Sequence, residues 1–209
     1  ALLLAAARQL KEHEGAMRGG RRPPVSEQIP IHRLSCCVLG IVGFGQIGQA
    51  VAQRARGFGL RILACDPALT QEAAEERGVE KAALEELLRQ ADFVVLVCPL
   101  TPQTRGMIDA TRLRMMKRGA VLINTGRGGL VREDDLAKAL REGVLRFAAL
   151  DVFECVDVLA PDGFPTDHPL FHLDNVLMTP HVAAVSAEMI HQQRRRGAQA
   201  VVDVLCGRR

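Results

Sequence analysis

The run Val38-Leu-Gly-Ile-Val-Gly43-Phe-Gly45-Gln-Ile-Gly48 decides how this chain is read. Its first five residues carry no charge and pattern as a buried strand. A G-x-G-x-x-G follows at once, and residues 47–58 then take on the periodicity of an amphipathic helix. At such a strand-to-helix turn Gly43 permits the tight bend, Gly45 lets the backbone approach a pyrophosphate, and Gly48 lets the helix pack closely on the strand. The opening turn of the helix leaves backbone N–H groups without an internal partner, those of Gln46 and Ile47 foremost. Their positive end suits an anion.

Working outward, apolar runs alternate with amphipathic stretches. Strands are expected over 60–65, 93–97, 120–124, Phe147–Leu150 and Val176–Met178, and helices over 71–77, Leu84–Gln90, 109–116 and Glu133–Arg141. Short, continuously apolar strands separated by helices imply a parallel sheet covered on both faces, an α/β doubly wound fold of the Rossmann type. Asp66 ends the second strand, eighteen residues past Gly48. A carboxylate there can accept hydrogen bonds from both adenosine ribose hydroxyls and repels an added phosphate, so the expected cofactor is NAD rather than NADP.

The flanks read differently. Residues 1–14 pattern as one helix and 15–35 as an irregular Gly-, Pro- and Arg-rich connector. The Rossmann unit is placed at 36–185, and 186–209 as a closing amphipathic helix. The stretch 151–175, with Pro161, Gly163, Pro165 and Pro169 among its residues, is the one long segment without periodicity. With 48% hydrophobic and 24% charged residues the chain has the composition of a globular protein. A net charge of +3 with 3% aromatic residues and neither Trp nor Tyr gives nucleic acid little to stack on. No apolar run approaches the roughly 18 residues of a membrane span. The six cysteines form no C-x-x-C pair, read as buried small hydrophobes of a reducing, cytoplasmic setting, and suggest no metal site.

Several further stretches match one known family in order along the chain. They are Gly40 to Asp66, Cys98-Pro-Leu-Thr-Pro-Gln-Thr104, Asn124-Thr-Gly-Arg-Gly-Gly-Leu-Val131, Ala149-Leu-Asp-Val-Phe-Glu154 and Thr179-Pro-His181. On these the chain resembles the D-isomer-specific 2-hydroxyacid dehydrogenases, and within them the branch that includes the C-terminal-binding-protein corepressors. The resemblance implies that Arg127 grips a substrate carboxylate and polarises a 2-oxo group, and that His181 protonates the substrate oxygen as hydride arrives. It places Asp151 near the nicotinamide carboxamide and Pro99 and Thr104 on the opposite side of the cofactor, and it adds Thr125, Gly126, Arg127 and His181 to the residues around that cofactor. It also implies a homodimer and a second, substrate-binding domain built largely from residues preceding Ala1.

One departure bears on mechanism. Family members carry a Glu five positions after the Asp of the L-D-V-F-E stretch, where it holds the histidine protonated and oriented, and here Val156 occupies that position. A valine can do neither, and Glu154 and Asp157 are the nearest carboxylates that could stand in. Two functions follow as expectations. The first is NAD-dependent interconversion of a small 2-oxo acid and its D-2-hydroxy acid. The alternative is an NAD(H)-binding sensor, corepressor-like, whose output is association rather than turnover.

Overall fold

The computed structural model describes residues 1–21, 31–154 and 167–208. Its centre is a sheet of seven strands, β1 (Val38–Val42), β2 (Arg61–Cys65), β3 (Glu80–Lys81), β4 (Phe93–Leu96), β5 (Val121–Asn124), β6 (Phe147–Leu150) and β7 (Val176–Met178). Their order is β3-β2-β1-β4-β5-β6-β7, and every pairing is parallel. Strand order therefore reverses beside β1, and doubly wound sheets open their ligand crevice at that point, beyond the carboxyl ends of the strands.

Side-chain alternation divides the core between the two faces of the sheet. Leu63, Val94, Leu96, Leu122, Ala148 and Val176 face α5 (Leu84–Gln90), α6 (Ala110–Met115) and α7 (Glu133–Arg141), which contribute Leu87, Leu88, Leu113, Leu136 and Leu140. Leu39, Ile41, Ile62, Val95, Ile123 and Phe147 face the other way. There they meet Ala6 and Ala7 of α1 (Leu2–Ala7), Ala52 and Ala55 of α3 (Gln46–Arg56), and Ala74 of α4 (Gln71–Glu76). Strands buried on both faces have no polar side to present, which is why their sequences read as continuous apolar runs.

The strands and helices expected in the core lie within a residue or two of the observed ones, and the flanks differ more. The single helix expected over 1–14 is two, α1 and α2 (Leu10–Arg18), so residues 15–18 are helical rather than irregular. Gln9 between them is left-handed at φ 52°. Tertiary contacts set the break. The guanidinium of Arg146, at the start of β6, donates to the Ala6 carbonyl at 3.0 Å, and Lys11 reaches the Val176 carbonyl at 2.7 Å. The first bond holds the end of α1 and the second the start of α2, which itself has no buried residue.

Edge strand β3 is two polar residues long, below the reach of any hydrophobic pattern. Glu80 takes a two-pronged ion pair from Arg61 of β2 at 2.7 and 2.6 Å. Cysteine burial is also mixed: Cys37 is buried, Cys65 and Cys98 are half-buried, and Cys36 and Cys206 are exposed, contrary to the expectation that all would be core residues. Cys36 ends a single 3-10 turn and Cys206 caps a helix, positions that face solvent. That last helix, α8 (Ala187–Leu205), starts on a Ser186 hydroxyl cap to the Met189 N–H and buries nothing against the described residues.

Candidate functional site

Register across the sheet gathers the candidate residues. Cys65, Val42, Leu96, Asn124, Leu150 and Met178 are neighbours in one row across six strands. One residue further along each chain stand Asp66, Gly43, Val97, Thr125, Asp151 and Thr179. Residues scattered over more than a hundred positions of sequence thus line one edge, and their loops interlock there.

On the β1 side the glycines fit an anion between them. Gly43 has φ +94°, and a Cβ on it would lie 2.6 Å from the Cys98 backbone nitrogen. A Cβ on Gly48 would lie 2.2 Å from the Gly43 carbonyl oxygen, so α3 can sit against β1 only with glycine at that contact. Gly45 is different: its backbone is extended, and a Cβ there would meet nothing within 4 Å. Nothing among the described residues demands glycine at 45, and the open side is the approach a pyrophosphate needs. The first internal hydrogen bond of α3 is Gln49 N–H to the Gly45 carbonyl at 3.0 Å, so the N–H groups of Gln46 and Ile47 precede the helical ladder. The Ile47 side chain is exposed beside them.

Asp66 braces this turn. Its Oδ2 accepts the Phe44 N–H at 2.7 Å and its Oδ1 the Ala68 N–H at 2.8 Å. A carboxylate has about four acceptor positions, which leaves room for two ribose hydroxyls. Next to it, burial pushes the Cys65 thiol up, aided by the Asp66 charge. Burial likewise raises the thiol of Cys98 across the cleft. Neither thiol is therefore disposed to act as a thiolate nucleophile.

The loop after β4 closes on itself, the Thr104 hydroxyl donating to the Pro99 carbonyl at 2.8 Å and accepting the Thr101 N–H at 2.8 Å. Beside it runs the loop after β5. Thr125 N–H reaches the Leu96 carbonyl at 3.3 Å, and a Cβ on Gly126 would crowd Leu130 and the Cys98 carbonyl. Asn124, 1% exposed, staples this loop: its Oδ1 accepts the Gly126 N–H at 3.1 Å and its Nδ2 donates to the Arg127 carbonyl at 3.0 Å. Arg127 is exposed, its guanidinium donating to the Gly126 carbonyl at 2.7 Å. Sequence reading did not single out Asn124, although a polar residue closing an apolar strand was the available signal.

The loops after β6 and β7 form the other half. Asp151, 1% exposed, hydrogen-bonds through its own N–H to the Asn124 carbonyl at 3.0 Å. Its carboxylate accepts the Thr179 hydroxyl at 2.6 Å and the N–H groups of Val182 and Ala183 at 2.9 Å each. Its carbonyl accepts the His181 N–H at 2.9 Å. His181 is exposed and left-handed at φ 54°. Glu154 pairs with Arg105 and gives its N–H to Glu133 at 2.6 Å. It makes no hydrogen bond to His181. Val156 and Asp157 lie outside the described residues. Among those described, no group of His, Cys, Asp and Glu could hold a metal ion, and no helix is long and apolar enough to cross a membrane.

A reversal of strand order at β1, a glycine turn open to an anion and an acid at the end of β2 define a dinucleotide-binding domain. Comparison with known proteins carries this further. Residues 1–183 match the family model of the D-isomer specific 2-hydroxyacid dehydrogenase, NAD binding domain, and the chain belongs to that family. NAD is the cofactor of this domain. The glyoxylate reductase of Korarchaeum cryptofilum is 44% identical over 209 aligned residues, which take in 98% of this chain and 59% of the relative. D-3-phosphoglycerate dehydrogenase of Methanocaldococcus jannaschii is 41% identical over 188 residues, 90% of this chain and 34% of its own length. Among solved structures, D-lactate dehydrogenase of Aquifex aeolicus, complexed with NAD and lactic acid, superimposes with a TM-score of 0.88 at 31% identity, covering 99% of this chain and 64% of that one. The chain thus spans less than two thirds of the relatives it matches. These relatives are named as enzymes and lend the corepressor-like branch no support.

Proposed function

We propose that this domain serves NAD-dependent interconversion of a small 2-oxo acid and its D-2-hydroxy acid. The observation that carries the reading is the row of strand ends, which puts an arginine loop and a histidine turn on the same edge of the sheet as a glycine turn suited to a dinucleotide. The bound nicotinamide supplies or removes the hydride. Arg127, exposed and forked, suits a substrate carboxylate and the oxygen of a 2-oxo group. His181 gives its proton to that oxygen as carbon 2 gains the hydride, and takes it back in the reverse direction. A cytoplasmic homodimer is the assembly that accords with the family resemblance.

The test is consumption of NADH by the full-length protein with a panel of 2-oxo acids, followed at the reduced-nicotinamide absorbance. Turnover that disappears in Arg127→Gln, with NADH binding intact, is the expected result. Equal turnover of an acid by that variant would remove Arg127 from the substrate site.

Asp66 offers a second check. Asp66→Ser removes the acceptor for the ribose hydroxyls and the charge that repels a 2′-phosphate, and is expected to narrow the preference for NADH over NADPH by about tenfold or more, which corresponds to roughly 1.4 kcal/mol. Fluorescence titration with both cofactors measures it. An unchanged ratio would mean that Asp66 only braces the glycine turn through Phe44.

A further inference from the structure

Asp151 is the most thoroughly engaged side chain of the candidate site, and its partners all belong to the turn that carries His181. Its carboxylate, an acceptor-only group, meets three donors: the Thr179 hydroxyl and Val182 N–H on one oxygen and the Ala183 N–H on the other. Its backbone carbonyl holds the N–H of His181 itself. The four bonds bracket the histidine on both sides, from Thr179 to Ala183. They do so where His181 has φ +54°, a conformation that non-glycine residues adopt rarely and keep only when their surroundings enforce it. Asp151 is in turn fixed by its N–H to the Asn124 carbonyl, one strand away, and Asn124 staples the Arg127 loop.

We infer that Asp151 is a positioning residue for His181: its buried carboxylate holds the left-handed turn that aims the imidazole, through Thr179 and the Val182 and Ala183 N–H groups. The inference rests on the reading of His181 as proton donor. Three donors on about four acceptor positions leave the carboxylate room for one more, so this role stands beside the contact with the nicotinamide carboxamide that the family resemblance implies. It also accounts for how the imidazole is oriented where Val156 stands in place of the expected glutamate. The part of that orientation which the described residues supply is the backbone of the turn.

Asp151→Asn keeps the size of the side chain but sets an NH₂ against at least one of the three donors. A misplacement on the order of 1 Å can lower a rate about 10²-fold, and a fall in kcat of about 10- to 100-fold is expected, larger than any change in NADH affinity or substrate KM. Thr179→Val, which removes one donor from the turn, should lower kcat in the same direction, and Thr179→Ser should restore it. The deciding measurement is a double-mutant cycle in the full-length protein. In a His181→Gln background, Asp151→Asn should cost little further activity, because residues acting as one unit are strongly non-additive. An undiminished effect in that background, or weakened NADH binding at unchanged kcat, would overturn the proposal and return Asp151 to the cofactor. If His181→Gln by itself leaves kcat unaltered, the proton-donor reading fails and the inference falls with it. That result is distinct from the other two.

Discussion

Replacement of His181 with Gln in the full-length protein is expected to lower kcat for 2-oxo acid reduction by about 10²- to 10⁴-fold, the usual contribution of a positioned acid or base. Glutamine keeps a polar side chain of similar reach, but its amide neither gives up nor recovers a proton near neutrality. Because the backbone N–H of His181 bonds to the Asp151 carbonyl whatever the side chain, the turn and its partners at Thr179, Val182 and Ala183 should persist. NADH affinity should therefore stay close to that of the unaltered protein. A parallel fall in kcat and kcat/KM, with binding intact, marks loss of an interaction made in the transition state. Unchanged turnover would require another proton donor. Glu154 is poorly placed for that task because its carboxylate pairs with Arg105.

The glycine turn supports a prediction of similar size, in which two neighbouring substitutions separate binding from folding. In Gly45→Ala the new methyl meets no protein atom within 4 Å, and the extended backbone at 45 is open to any residue. The thermal midpoint should hardly move, since substitutions free of a packing, capping or backbone conflict change stability by about 0.5 kcal/mol or less. NADH affinity should nevertheless fall by tenfold or more, about 1.4 kcal/mol, because the methyl occupies the side from which the pyrophosphate approaches.

Gly48→Ala behaves otherwise. Its methyl would stand 2.2 Å from the Gly43 carbonyl oxygen and 3.3 Å from a methyl of Ile41. Helix α3 must lift from β1, at a cost typical of overpacking, about 1–3 kcal/mol, and binding is lost along with stability. Thermal melts with and without NADH distinguish the two variants. If Gly45→Ala bound NADH as tightly as the unaltered chain, the open side of the turn would not be where the phosphates lie.

Much of this was legible in the amino-acid order, and the reasons are local. Strand β1, its glycine turn and the opening of α3 are specified by residues adjacent in sequence, as is Asp66 at the end of β2. Strands buried on both faces announce themselves as apolar runs, which located every strand of the sheet except the exposed edge β3. That two-residue edge exists only because Leu63 and Ala64 offer backbone partners to Glu80 and Lys81. Likewise the kink at Gln9 is invisible in the helical pattern of the first residues, since Arg146 and Val176 hold its two sides from distant points of the chain.

The candidate site divides along the same line. Arg127 and His181 are nominated by their motifs, because glycines around an arginine and a proline before a histidine are contiguous features. What holds them was not found. Asn124 reads as the last residue of a strand and Asp151 as a strand-end acid near the cofactor, and only the register of β5 on β6 sets one beside the other. The partners of Asp151 lie 28 to 32 positions away along the chain. Sequence by itself determined the fold class and the glycine turn, and it nominated Arg127 and His181, all from short-range pattern. Tertiary structure decided how the loops that carry those side chains are held, since a hydrogen bond between distant segments depends on how the strands pair, and no local pattern records that.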